Sequence, residues 1–312
     1  MTDLAWDPRA LPRQDGRRIV ITGATAGIGY FAAEQLAAAG ADVVLAARSQ
    51  EKTRRAIDAI RDRVGASVTS VRLDLASLDS VRRAADELAG GTAIDALVNN
   101  AGLVIPPGRR RETEDGLELL VGGNFVGHFA LTARLWGALA PGARVVGLGS
   151  MATRMVRLDP DDLMSTRRYR PFRAYGLSKH AVHGFGFELD RRLRAAGSAR
   201  TSVVAHPGYA VSELADRVPG INDEKGFSHR VAGALSAPVA QGKDHGAWPV
   251  VRGAIDRELS GGEFLGPGGL MGLRGAPTVQ APAPSSADPA FGARLWALAE
   301  AWSGERFDVA AD

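Results

Sequence analysis

Apolar residues in the first two-thirds of the chain come in short unbroken runs, and helical stretches stand between them. Residues 17–23 (RRIVITG) form such a run ending in glycine, and residues 28–39 follow with helical character and a glycine stop at Gly40. The unit repeats: 42–47 reads as strand, 51–64 as helix, 67–73 as strand, 78–88 as helix and 94–98 as strand. The pattern then predicts a long helix over 113–139, a strand over 144–148, a helix over 174–195 and a strand over 201–205. Unbroken apolar runs mark strands covered on both faces. Strands alternating with helices imply a doubly wound (Rossmann) α/β fold, a parallel sheet with right-handed crossovers and helices on both sides.

No shift in composition divides the chain, so residues 1–312 read as a single domain with a core over about 17–265. After Pro207 the regularity fades into a loop-rich stretch up to about Gly242, a helix over 246–259 and the glycine-rich GGEFLGPGG at 261–269. Residues 266–312 form an irregular C-terminal extension. Within it the Ala, Pro and Ser segment at 276–287 reads as a connector and 289–302 as an amphipathic helix packed beside the sheet.

Composition narrows the function classes. Of 312 residues 45% are hydrophobic and 23% charged, which excludes a disordered chain and a membrane-embedded one. Net charge is +3, and of 38 basic residues only Lys52, Lys179, Lys225 and Lys243 are lysines. The arginine clusters at 109–111 and 167–168 lack the aromatic interleaving of a strand-binding platform, so no nucleic-acid partner is expected. The chain has no cysteine, hence no disulfide, no thiolate nucleophile and no Cys-type zinc site; redox chemistry has to come from a cofactor. The start of the chain lacks a basic region followed by an apolar run, and the apolar stretch at 119–133, broken by Asn124 and His128, falls short of a membrane span. A cytoplasmic location is the expectation.

Three motifs carry candidate chemistry. Residues 22–29 (TGATAGIG) make a glycine-rich turn that opens the first helix, with Gly23, Thr25, Ala26, Gly27, Ile28 and Gly29 as candidate phosphate-binding positions. Taken alone, the spacing is equally that of an ordinary tight turn. At the end of the second strand, where NAD binders tend to carry an acidic residue, stand Ala47 and Arg48. A guanidinium there pairs with a 2′-phosphate and favours NADP(H), with NAD(H) the other dinucleotide left open; the alternative is an exposed loop arginine. Tyr175 and Lys179, four apart, share one helix face. A phenol titrates near pKa 10, and a neighbouring ammonium together with an oxidised nicotinamide would favour the phenolate.

With these residues in place the chain resembles the short-chain dehydrogenase/reductase family along almost its whole length. The resemblance also rests on Asp74-Leu75, Asn99-Asn100-Ala101-Gly102, Asn124, Ser150 and Pro207-Gly208, each after a strand or in a helix in the family's order. The insert between Ser150 and Tyr175, with GNFVGHF and GGEFLGPGG, resembles the retinol-dehydrogenase-like branch. The resemblance implies that Tyr175 exchanges a proton with a carbonyl or alcohol oxygen while nicotinamide exchanges hydride. It implies that Ser150 hydrogen-bonds that oxygen, Lys179 binds the nicotinamide ribose and lowers the pKa of Tyr175, and Asn124 holds a relay water. Asp74 and Leu75 would flank adenine, Asn100, Ala101 and Gly102 would line the ribose side, and Pro207, Gly208 and Ser212 would contact the nicotinamide end. Ser212 stands where the family has threonine, and Gly149 replaces the first of its serine pair. Gly122-Gly123 lowers helix propensity and suggests a local bend.

The expected enzyme is an NADP-preferring carbonyl reductase or alcohol dehydrogenase with a small-molecule partner. Its apolar pocket would be built from Met151, Phe172, Tyr209, Val211, Leu214 and Val218, with Val104 and Ile105. The rival readings are a non-catalytic NADP sensor and a reductase of an activated carbon–carbon double bond. Family members often pair through the helices bearing Asn124 and Tyr175, which leaves a homo-oligomer open. His180 and His183 read as helix-surface or packed side chains rather than metal ligands, because no carboxylate accompanies them, and His206 before Pro207 reads as structural.

Overall fold

Ile19, Val20 and Ile21 of β1 (Arg18–Thr22) have no exposed surface, as a strand covered on both faces requires. The computed structural model describes residues 6–223 and 237–309, so residues 224–236 of the loop-rich stretch after Pro207 lie outside the described residues. From β1 the chain alternates through α1 (Gly27–Ala38), β2 (Asp42–Ala47), α2 (Gln50–Val64), β3 (Thr69–Arg72), α3 (Leu78–Ala89) and β4 (Ile94–Asn99). Local chemistry sets the limits: Ser49 and Ser77 cap α2 and α3 by accepting backbone N–H groups, and Gly65 ends α2 in the left-handed conformation.

The helix expected over 113–139 is shorter and bent. Residues 113–118 form a turn in which Thr113 Oγ1 accepts the Leu117 N–H and Gly116 has φ +77°. The buried carboxylate of Glu118 then takes the N–H groups of Leu120 and Val121 and starts α4 (Leu119–Val121). The glycine pair makes the expected bend as a π turn over Gly122–Val126, after which α5 (Gly127–Arg134) resumes. β5 (Leu139–Leu148) begins earlier than expected, because Leu139 pairs with Ile94 ahead of a register shift. Then come α6 (Ala152–Met155), α7 (Pro171–Ala196), β6 (Thr201–Ala205) and a short parallel pair, β7 (Ala210–Val211) with β8 (Gln241–Gly242). The helix expected over 246–259 is split into α8 (Lys243–Gly246) and α9 (Trp248–Ile255).

The C-terminal extension is more regular than the sequence suggests. β9 (Phe264–Pro267) extends the parallel sheet beside β6, and β10 (Pro277–Gln280) pairs antiparallel with β9. The main sheet therefore has eight strands in the order β10-β9-β6-β5-β4-β1-β2-β3, and its last edge corrects the all-parallel expectation. Segment 276–287, read as an irregular connector, supplies that edge strand and the one-turn helix α10 (Pro284–Ala287). A strand that opens on proline at a sheet edge carries little β signal. α11 (Pro289–Ser303), expected beside the sheet, packs on α7, with Trp296 edge-on to Phe129 at 5.3 Å. Among the described residues no helix is long and apolar enough to cross a membrane.

Candidate active site

The sheet order reverses between β1 and β4, and the functional side chains gather at the carboxyl ends of the strands around that point. A Cβ on Gly23, which has φ +69°, would lie 2.8 Å from Ala101 Cα, and one on Gly29 would collide with Asn100 Nδ2. The turn and the Asn100–Gly102 loop are thus pressed together, and only glycine permits it. Thr22 Oγ1 accepts the N–H groups of Asn100 (3.0 Å) and Ala101 (2.9 Å), while Asn100 Nδ2 donates to Thr22 O (2.8 Å).

At the start of α1, Ala26 offers no side-chain cap and the first turn holds no acidic residue. Its leading amides therefore face outward for an anion, which fits a dinucleotide's pyrophosphate. The buried Asn100 Oδ1 has no protein partner and fits the same cradle. Arg48 is 74% exposed, with Nη1 3.6 Å from Asp74 Oδ2, so the ends of β2 and β3 bring those two predicted residues together. Leu75 packs under α5 against Gly127.

Ser150, Tyr175, Lys179 and Asn124 converge as expected. The Ser150 hydroxyl, beyond β5, accepts the Ala152 N–H at 3.1 Å and hydrogen-bonds the Tyr175 phenol. One turn along α7, Lys179 Nζ donates to Leu148 O at 2.7 Å and lies 5.9 Å from the Tyr175 ring centroid. Asn124, in the π turn, accepts the Leu103 N–H through Oδ1 (2.8 Å) and donates through Nδ2 to Ser178 Oγ (3.0 Å). Its side chain thus ties the Asn100–Gly102 loop to α7.

Burial pushes the Tyr175 phenol up, and the Ser150 hydrogen bond only partly opposes it. The lowering expected from Lys179 together with an oxidised nicotinamide concerns the enzyme with its dinucleotide bound; in the protein alone desolvation is the largest influence on the phenol. Burial also holds Lys179 down, to about 8.

Sequence reasoning missed the residues that support this group. The His128 ring donates from Nδ1 to Asn124 O (2.9 Å), which leaves Nε2 to accept the Thr22 hydroxyl at 2.8 Å. His183 Nε2 accepts the Ser150 N–H at 3.1 Å, and His206 Nδ1 accepts the Gly208 N–H at 3.2 Å. The only signals were the spacing of four from Asn124 to His128 and the place of His206 before Pro207. Among the described residues no group of three His, Asp or Glu side chains could hold a metal. Gly208 has φ +65° against Leu273 O, Pro207 O accepts Gln241 Nε2 at 2.9 Å, and Ser212 follows β7. Of the expected pocket residues Val218 does not belong: it is 1% exposed and is part of the hydrophobic core cluster that includes residues of α1 and α2.

Lys179→Met is expected to abolish turnover and to stabilise the fold. A buried lysine at about 8, against 10.5 unfolded, costs stability that is fully present below about pH 8 and fades as pH rises toward 10.5. That cost is about 3 kcal/mol; removing it while leaving Leu148 O unpaired nets about 1–2 kcal/mol, a Tm rise of roughly 2–3 °C near neutrality. Thermal melts decide it: a lower Tm would mean that the ammonium is stabilising where it lies.

The model of the family described as short chain dehydrogenase matches residues 17–219, about two-thirds of the chain. Polyprenol dehydrogenase of Mus musculus is 40% identical over 269 residues, covering 83% of this chain and 78% of that protein. Retinol dehydrogenase 13 of Homo sapiens is 37% identical over 289 residues, 90% of this chain and 83% of that one. A crystal structure of a protein from Mycobacterium Paratuberculosis superposes with a TM-score of 0.79 at 35% identity, covering 97% of this chain and 99% of that chain. The crevice at the strand ends and this likeness of sequence and fold lead to one conclusion: the chain belongs to the short-chain dehydrogenases, in their retinol-dehydrogenase-like branch, and is an NAD(P)-dependent enzyme acting on alcohols.

Proposed function

We propose that this enzyme prefers NADP(H) and interconverts an alcohol and its carbonyl on an apolar substrate, with Tyr175 as the acid/base group. The observation that carries the substrate class is a set of exposed apolar side chains on the loops at the strand ends. Val104 and Ile105 follow β4 at 66% and 88% exposure, Met155 (74%) lies beyond β5, Tyr209 (46%) follows β6, and Leu270 and Met271 (72% and 73%) follow β9. Phe172, half exposed at the start of α7, adds to them. Exposed apolar residues concentrated around one crevice mark a binding mouth. Polyprenol and retinol, named in the two relatives, are alcohols of this apolar class.

A bound nicotinamide dinucleotide would supply or accept the hydride. The chain's own residues handle the proton. On reduction Tyr175 donates its phenolic proton to the carbonyl oxygen, and the Ser150 hydroxyl donates a hydrogen bond that stabilises the developing charge. On oxidation the phenolate, favoured by Lys179, removes the alcohol proton. Asn124 keeps the Gly102–Leu103 backbone in register with α7. Arg48, exposed at the tip of β2 beside Asp74, would pair with a 2′-phosphate there.

Initial rates with aldehydes and primary alcohols of increasing chain length test the reading. With each added methylene, kcat/KM should rise about threefold until the mouth is filled. A flat series would remove the apolar substrate. Arg48→Ala is expected to weaken NADPH about tenfold and NADH less than about twofold; equal losses would overturn the preference. Dinucleotide binding without turnover of any carbonyl would favour a sensor.

A further inference from the structure

A second piece of chain reaches the phosphate-binding turn from far away in sequence. β8 pairs in parallel with β7, Ala210 opposite Gln241 and Val211 opposite Gly242, so the residues that leave the same end of the pair are Ser212 and Lys243. The pair is anchored to the site: Gln241 holds Pro207 O through Nε2 (2.9 Å) and donates its N–H to Tyr209 O (3.0 Å). It is also anchored to α1, where Gln35 Nε2 donates to Asp244 O at 2.9 Å. Between these anchors the half-buried Lys243 side chain lies over the glycine turn. Its Cδ and Nζ are 3.4 and 3.5 Å from the point where a Cβ on Gly27 would stand.

Gly27 opens α1, whose N-terminus is uncapped by any side chain and free of acidic residues in its first turn. An ammonium and the positive end of a helix dipole both attract an anion placed between them, and outward-facing amides with a flexible point charge form a familiar phosphate clamp. Arg48 serves the other end of the crevice, at the tip of β2.

We propose that Lys243 binds the pyrophosphate of the dinucleotide, closing over the glycine turn from the β7–β8 pair. The inference rests on the dinucleotide lying across this turn. It makes the β7–β8 pair and the segment from Gln241 onward part of the cofactor site rather than of the substrate mouth alone.

Equilibrium titration of the purified protein with NADPH, NADH, ADP-ribose and 2′-AMP tests it without turnover. Lys243→Met should raise the Kd of NADPH, NADH and ADP-ribose alike, by about tenfold, and leave 2′-AMP within about twofold. It should also flatten the salt dependence of NADH binding. Lys243→Arg should restore most of the affinity, and an unchanged melting curve shows that each variant is folded. Unchanged dissociation constants in Lys243→Met overturn the proposal while leaving the dinucleotide site intact. Loss confined to NADPH and 2′-AMP overturns it by placing the lysine on the 2′-phosphate, and tighter binding overturns it by making the lysine a plug. Wild-type protein that binds no dinucleotide overturns both readings together.

Discussion

Tyr175→Phe is expected to lose about 10³-fold or more in carbonyl reduction while binding dinucleotide as the wild type does. The substitution removes one oxygen and keeps the ring, which is 9% exposed and packed with Leu120, Ala152 and Ala174. Ser150 keeps the Ala152 N–H on its hydroxyl, and Lys179 keeps Leu148 O, so the rest of the group stays in place. The fold should therefore melt within a few degrees of wild type, and the loss should fall on kcat. The phenol's direction of shift fixes the pH dependence. Because burial pushes Tyr175 up, the acid form needed for reduction persists through the neutral range, and reduction rates should stay level there. Oxidation needs the phenolate and should rise with pH over the same interval. A variant that retains more than about a tenth of the activity would show that another group, with Ser150 the nearest candidate, delivers the proton.

The parts of this enzyme that were legible in the sequence are those written in adjacent residues. Strand, glycine turn and helix follow one another from Arg18 to Ala38, and Tyr175 and Lys179 lie one turn apart, so local spacing fixes both. The parts that were not legible depend on pairings between distant residues. Thr22 takes the amides of Asn100 and Ala101 across 78 and 79 positions, and Lys243 meets Gly27 from the other end of the chain. β10 is written as PTVQ, with a proline and one exposed valine, and becomes a strand only because β9 offers it an edge. Val218 reads as a pocket residue by its place in the loop after Pro207, yet the loop folds it into the hydrophobic core. The surroundings of Tyr175 divide in the same way: the ammonium four residues on is visible in the sequence, while the burial that pushes the phenol up belongs to the packed site.

Acidification is expected to unfold the enzyme well before its ion pairs are lost, through four histidines packed inside it. His128, His180, His183 and His206 are all buried, and burial holds every one below its ordinary value, His128 and His206 at about 4. The unfolded chain takes up these protons near pH 6.5 while the folded chain does not, so stability is lost as pH falls from about 6.5 toward 4. His128 and His206 each account for roughly 3 kcal/mol by pH 4. Glu118 and Asp190, whose carboxyls burial pushes up, act in the opposite direction and offset part of the loss. The effect starts at the catalytic group. His183 Nε2 and His206 Nδ1 accept the amides of Ser150 and Gly208, and a protonated ring would turn N–H against N–H at both places. Urea unfolding of the wild type and His206→Gln, at about pH 7 and about pH 4.5, isolates one ring. The stability gap between the two proteins should shift by about 2–3 kcal/mol in favour of the variant at the lower pH. A gap that does not move with pH would mean that His206 titrates in the folded enzyme as it does in the unfolded chain, so that burial does not hold it down.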